Sequence, residues 1–443
     1  VSTAKIQPLP QYSTSQQKKR DDVVDLARAA CLLVVVLFHG LMMGVQQGAL
    51  GWQVTNAFEG QGFFAVLSLF LQVMPLFFIL GGFSSYGAWQ RRRAAGISAA
   101  SFVRERLLRL ARPSFIVFGV VGASLALLAL LGVPLDLLSQ IGFRISQPMW
   151  FLAVYLGCSA VVPLMAAAHR RAKWPTVFAL LIAVLAVDLA RSASGIEAIG
   201  YLNLIFVWAL MQQLGFFVAE GIRLGKAVLL TSFGLSLGAL LLGAVLGFWP
   251  LDMLQNLNPP RFPLLLLGVA QLALMELLRP RLQAAVERPS VRRVSDFANA
   301  KSLTIYLWHA SVMAALIGGM LILGMPMPEP LSPAWWASRV IWLLALLVAL
   351  IPAVAYLSRF EKLPGNLNAA QPPRHAATAT ALAVTAVVLV LALGASPVAW
   401  MLASVALTTA VGLVSANSRT AGLRPRSFSK ETWWPASRRA ILS

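Results

Sequence analysis

Residues 23–46 read VVDLARAACLLVVVLFHGLMMGVQ. About 20 mostly apolar residues cross the hydrocarbon core of a bilayer, so this stretch is expected to be a membrane-spanning helix. Three ionisable groups interrupt it: Asp25, Arg28 and His39. Arg28 and His39 are 11 residues apart, about three turns, so both leave the same helix face, about 16 Å apart along the axis. Asp25 lies three residues before Arg28, where a salt bridge lowers the cost of both charges. Ionisable groups in a spanning helix face a protein interior or a wet cavity. A polar stripe is therefore expected from the N-terminal end of this helix to a histidine deep in the membrane. Histidine is the side chain best suited to take a proton from a hydroxyl near neutral pH, which makes His39 the candidate base.

The rest of the chain repeats the apolar pattern. Of 443 residues, 58% are hydrophobic and 12% charged, with mean hydropathy +0.75, so lipid is the natural solvent. Further spans are expected near 65–89, 114–133, 150–168, 174–190, 199–221, 227–247, 262–279, 302–324 and 337–357. A weaker pair follows, near 377–394 and 397–415, after the break at Gln371-Pro372-Pro373. The predicted fold is an all-α polytopic transmembrane helix bundle. It comprises an N-terminal arm (1–22), a ten-helix core (23–357), a linker (358–376), a two-helix hairpin (377–415) and a basic tail (416–443). The polar arm shows no small-residue cleavage site, so the first span is expected to be retained.

The net charge of +20 invites a nucleic-acid reading, which the distribution excludes. With the N-terminus inside, 31 of the 36 Lys and Arg fall in alternate loops or the two ends. Arg144, Arg191, Arg261 and Arg339 fall on the other side, and Arg28 lies within a span. This is the bias of cytoplasmic loops, and it predicts a multi-pass inner (plasma) membrane protein with both termini cytoplasmic. In the tail, Trp433 and Trp434 sit among positive charges that serve topology. Cys31 and Cys158 both lie in apolar runs, so no disulfide framework, CxxC motif or metal site is expected.

The motifs together resemble the acyltransferase-3 family of integral membrane acyltransferases. Asp25-x-x-Arg28-x10-His39 is similar to the family's first-helix motif, and Met74-Pro-Leu-Phe-Phe-Ile-Leu-Gly-Gly-Phe83 to its second helix. There Gly81 stands where the family usually has a serine, so any role for that hydroxyl is absent. Phe102 to Pro113 resembles the basic loop before the third helix, and Trp150-Phe-Leu and Tyr306-Leu-Trp-His309 resemble two later segments. The resemblance covers residues 20 to about 357. It implies transfer of an acyl group, most often acetyl from acetyl-CoA, to a hydroxyl of a cell-envelope carbohydrate or glycolipid.

With that resemblance, Arg106 and Arg109 become the expected pair for the phosphates of acyl-CoA. They share a helix face at i and i+3, and guanidinium binds phosphate bidentately. Tyr306 and His309 are placed on the cofactor path. His309, about two turns in from the cytoplasmic side, ranks second to His39 as base because it is far from the outer face. Its expected role is a hydrogen bond to another helix. His169 and His375 need no special role, and Glu220 and Glu276 are expected to pair with Arg223 and Arg279. The acceptor hydroxyl is deprotonated by His39 and attacks the thioester, or His39 first takes the acyl group itself. Asp25 and Arg28 serve the cofactor path or its gating. A transporter or exporter of an envelope intermediate is the alternative, disfavoured by the lack of visible repeats and of Gly/Pro-broken helices.

Overall fold

A computed structural model describes residues 21–48, 51–361, 375–393 and 396–420. The expected arm, most of the linker with its Gln371-Pro372-Pro373 break, and the tail with Trp433 and Trp434 lie outside the described residues. The elements are α1 (Asp22–Met42), β1 (Met43–Gly48), β2 (Gly51–Asn56), α2 (Gly62–Leu71), α3 (Met74–Ala94), α4 (Ala99–Leu130), α5 (Leu135–Ser146) and α6 (Trp150–Arg171). They continue with α7 (Lys173–Ser194), α8 (Asn203–Ala219), α9 (Lys226–Val245), α10 (Pro263–Leu277), α11 (Arg279–Val286) and α12 (Pro289–Ala300). The last four are α13 (Ser302–Ile322), α14 (Pro333–Leu357), α15 (Ala376–Ala392) and α16 (Pro397–Thr420). Among the described residues, ten helical segments are long and apolar enough to cross a membrane. The pair α10–α11, bent by 62°, and the shorter apolar α15 stand at the other two expected spans.

The spans depart from their expected form where backbone chemistry requires it. The span expected at 65–89 is broken between α2 and α3. Pro75 has no N–H to donate, and its ring clashes with the carbonyl of residue 71 in a continuous helix. In lipid the freed backbone groups need partners, and Gln271 of α10 supplies them. Its Nε2 donates to the Gln72 carbonyl at 2.8 Å, and its Oε1 accepts from the Leu76 N–H at 3.2 Å. The expectation of no broken spans is thus corrected at α2–α3 and at α10–α11.

At its far end α1 stops at Met42, short of the expected 46, and the chain forms the antiparallel β1–β2 hairpin. Gly44 and Gly48 weaken the helix there, and Val45, Val54 and Thr55 favour extended backbone. The open edge of β2 is capped by α5: Gln140 Oε1 accepts from Val54 N (3.2 Å), and Arg144 Nε donates to Val54 O (3.1 Å). The α4 helix runs unbroken through the basic segment, over 32 residues, about 48 Å. Its start is capped by the Ser98 side chain accepting from Ser101 N.

The four arginines outside the basic end each have a local partner. Arg144 holds β2, and Arg191 and Arg261 share Glu197 at 3.0 and 3.8 Å. Arg339 lies over the Trp335 ring (4.3 Å to its centroid) and donates to Met43 O at the end of α1 (3.4 Å).

Two glycines let α3 and α8 meet backbone to backbone. A Cβ on Gly82 would lie 2.2 Å from Gln212 O, and one on Gly215 would lie 2.0 Å from Ile79 O. The hairpin is packed onto the core: α16 lies along α4 and α15 against α6. Trp400 stacks near Phe118 (4.8 Å), and Ser404 Oγ donates to Phe115 O (2.9 Å).

At the basic end Asp21 caps α1 by accepting from Val23 and Val24 N–H. It also pairs with Arg279 (3.0 Å) and Arg223 (3.3 Å), both of which reach Glu276. This cluster ties α1 to the end of α8 and to the α10–α11 bend. Burial pushes the Asp21 carboxyl up, but Arg279, the cap bonds and Arg223 outweigh it and hold it below the usual carboxylate range.

Gly82→Val is expected to prevent folding, since its Cβ has no room. Gly81→Ala, whose Cβ would meet Tyr155 at an ordinary 3.4 Å, should retain the fold. The yield of monodisperse protein after detergent extraction separates the two. The depressed Asp21 stabilises fully above the usual carboxylate value, and that contribution is lost as pH falls through its lowered one. Asp21→Asn should therefore cost about 1–2 kcal/mol at pH 7, with the gap to wild type closing in acid. Thermal melts at both pH values read this, and equal melting at pH 7 would show that the cluster contributes nothing.

Candidate active site

The polar stripe of α1 faces a cavity of about 950 Å³. Asp25, Arg28, Leu32 and Val35 all line it, the i, i+3, i+7, i+10 pattern of one helix face. Arg28 Nη1 lies 3.9 Å from Asp25 Oδ1 and 3.4 Å from Ser84 Oγ, so α3 helps hold the guanidinium in the wall. Ser84 is a site residue that the sequence reading missed; paired serines in an otherwise apolar span were the available signal. Asn299 was missed as well: its Nδ2 donates to Asp25 O at 2.7 Å and fixes α12 across α1.

Towards the basic end the lining includes Arg106 and Arg109 from α4, with Arg91 and Arg223. The i and i+3 spacing does bring Arg106 and Arg109 onto the same wall. Arg106 also lies over the Phe102 ring, 5.1 Å from its centroid. Asp21 and Glu361 are on the lining too. Glu361 accepts from the Thr304 N–H (2.7 Å) and from the Thr304 hydroxyl, which anchors the start of α13.

Deeper in, the wall turns aromatic, with Phe77, Trp150, Phe151, Tyr155 and Tyr306. Phe151 stacks on Tyr155 (5.2 Å) and meets Tyr306 edge-on (5.0 Å). The Tyr306 hydroxyl donates to Pro148 O at 2.8 Å, so Tyr306 joins α13 to the start of α6 and shows the cavity its ring. Pro148 and Leu257, from loops at the far end, also reach the lining. The cavity thus extends through most of the bundle.

His39 and His309 stand together just past this inner wall. Their ring centroids are 5.2 Å apart at 62°. The sequence reading held them apart by depth, with His309 near the basic side. The structure corrects this, because depth counted along one helix says nothing of the stagger between two. His39 is about 21 Å along α1 from Asp25 and His309 about 10 Å along α13 from Ser302. The start of α13 is set inward by the α11–α12 segment that covers the basic end of α1. The expected bond from His309 to another helix is also corrected. His309 Nδ1 lies 2.6 Å from Tyr306 O in its own helix, and His39 Nδ1 lies 2.7 Å from Val35 O. A carbonyl only accepts, so each Nδ1 carries a hydrogen and each Nε2 carries a lone pair. Val35 and Tyr306 line the cavity, which puts both rings against its inner end.

One further expectation is corrected. Glu220 does not pair with Arg223: Gly221, with φ of 85°, turns the chain, and Glu220 instead meets Lys173 (2.5 Å), Tyr86 (3.1 Å) and His169 (3.4 Å). His169 is fully buried, with Nδ1 2.6 Å from Gln213 Nε2, so it belongs to this structural knot between α6, α8 and α3. Glu276 does pair with Arg279, at 2.7 Å.

Chemically, the arrangement offers an arginine-rich mouth for an anion, an aromatic neck for a thin chain, and two basic imidazole nitrogens at the far end. Residues 21–358 match the family described as Acyltransferase domain. No curated protein and no solved structure matches the chain. The family match takes in α1, the arginines of α4 and both histidines of the inner end. The chain therefore belongs to the acyltransferase-3 family and is a multi-pass membrane acyltransferase.

Proposed function

We propose that the protein transfers an acyl group, typically acetyl, from cytoplasmic acyl-CoA to a hydroxyl of an extracytoplasmic cell-envelope carbohydrate or glycolipid. The observation that carries this reading is the cavity that runs from an arginine mouth at the basic end to Val35 and Tyr306, whose carbonyls hold the His39 and His309 rings just behind its wall. Positive loops mark the basic end as cytoplasmic, with both termini on that side and the inner (plasma) membrane as the location.

Arg106 and Arg109 hold the phosphates of the acyl donor, their planar forks suiting bidentate contact. Arg28 keeps a buried Nε without a hydrogen-bond partner among the described residues. The Arg28 guanidinium adds positive charge along the path, and Asp25 limits the surplus of it there. The aromatic neck excludes water around the donor's narrow arm, which brings its thioester towards the histidines. His39 Nε2, held in its basic tautomer by the Val35 bond, takes the proton of the acceptor hydroxyl. The oxygen then bonds to the thioester carbonyl carbon, the C–S bond breaks, and the departing thiolate receives the proton.

Proteoliposomes given radiolabelled acetyl-CoA and envelope extract test the reading. Label is expected in an extractable envelope molecule, and His39→Ala should lower transfer by at least about 10³-fold. Transfer that persists in His39→Ala would remove His39 from the chemistry, and no turnover with any acyl-CoA would remove the proposed donor. Arg106→Ala and Arg109→Ala should each raise KM for acetyl-CoA by about tenfold or more. Neither should change KM for a short acyl thioester that lacks phosphates. An equal effect on both donors would deny these arginines the phosphate role.

A further inference from the structure

We propose that His309 is the proton partner of His39, the two rings working as one unit that carries the transferred proton between them. This rests on the reading of His39 as the base. Three observations support it. The rings are in edge contact, 5.2 Å between centroids. Both Nδ1 atoms are committed to carbonyls of their own helices, at 2.7 and 2.6 Å, so proton chemistry is left to the Nε2 atoms. His309 is fully buried, and its Nε2 has no hydrogen-bond partner among the described residues. A buried acceptor left unpaired costs about 1–3 kcal/mol. Beside a ring that must become an imidazolium, the spare lone pair has a use.

The step balances as follows. His39 Nε2 takes the hydroxyl proton as the acceptor oxygen bonds to the carbonyl carbon. The two Nε2 atoms are not within hydrogen-bond distance in this structure, so a change of ring orientation comes first. His309 Nε2 then accepts that proton from His39, and the positive charge passes to the second ring while the C–S bond breaks. The sulfur leaves with the bonding electron pair and then receives the same proton back from the pair, and both histidines end neutral. The charged groups on the surrounding helices are Arg28 of α1, three turns inward, and Arg339 of α14. Arg339 lies against Met43 O, one turn beyond His39. Asp25, the carboxylate on the same face of α1, is about 21 Å away along the axis, so no carboxylate reaches the imidazolium, which leaves that task to His309.

Two substitutions separate this role from a structural one. In His309→Asn the amide nitrogen takes the place of Nδ1 and keeps the bond to Tyr306 O, while Nε2 is lost. In His309→Gln an amide group reaches the Nε2 position but is not basic. Transfer of radiolabelled acetyl from acetyl-CoA by the full chain in proteoliposomes would be followed across pH. Both variants should lower kcat by about 10²-fold or more with KM for acetyl-CoA unchanged. The pH profile of the rate should change shape, since the proton is no longer shared between two rings. A wild-type kcat and pH profile in His309→Asn would overturn the proposal. Magic-angle-spinning NMR of ¹⁵N-histidine protein supplies a readout that needs no turnover. The signals of His39 and His309 should titrate as a coupled pair that becomes a single step in His309→Asn. Independent titration in the wild type would overturn the pair even with transfer intact. Coupled titration with no transfer from acetyl-CoA would instead remove the proposed reaction and leave the shared proton standing.

Discussion

An arginine and an aspartate in the first spanning helix constrain the rest of the structure. A charge at membrane depth is costly unless it is paired or faces water or protein. Arg28 meets both conditions: Asp25 lies one turn away, Ser84 touches it from α3, and a cavity opens beside it. Helices α3, α4, α6 and α13 surround that cavity, and their lining side chains grade from arginine to aromatic. Removing the charge would remove the reason for the space.

Satisfied backbone groups are the second constraint. Several places where regular structure gives way or ends are met by a side chain from elsewhere. Gln271 bridges the α2–α3 break, Arg339 reaches the carbonyl at the end of α1, and α5 caps the open edge of β2. The β1–β2 hairpin and α5 lie at the far end, around the same end of α1 that bears His39, whereas the α10–α11 bend lies at the basic end.

Much of this was legible in the sequence, for reasons of period. Asp25, Arg28 and His39, and likewise Arg106 and Arg109, share faces because 3.6 residues per turn fixes it within one helix. The spans were legible because lipid demands long apolar runs. What could not be read was relative depth between helices. His309 was placed near the basic end because its distance was counted from the start of its own span. The β1–β2 hairpin and α5 escaped notice because hydropathy scores a run without registering where its backbone turns. Glu220 was matched to Arg223 by spacing, but a left-handed glycine at 221 ended the helix between them.

The docking of α15 and α16 also bears on how the chain assembles. They leave the ribosome after the other described helices, yet α16 lies along α4, made nearly 300 residues earlier. Until the hairpin arrives, the small-residue face of α4 at Gly119 and Gly122, which Ser404 and Met401 later cover, has only lipid beside it. The helix that bears Arg106 and Arg109 thus reaches its final surroundings only after α16 has been made. Non-local contacts of this kind close late and slow folding. A nascent chain is therefore inserted well before the arginine wall of its cavity is fully braced, and quality control has an extended interval in which to act on it.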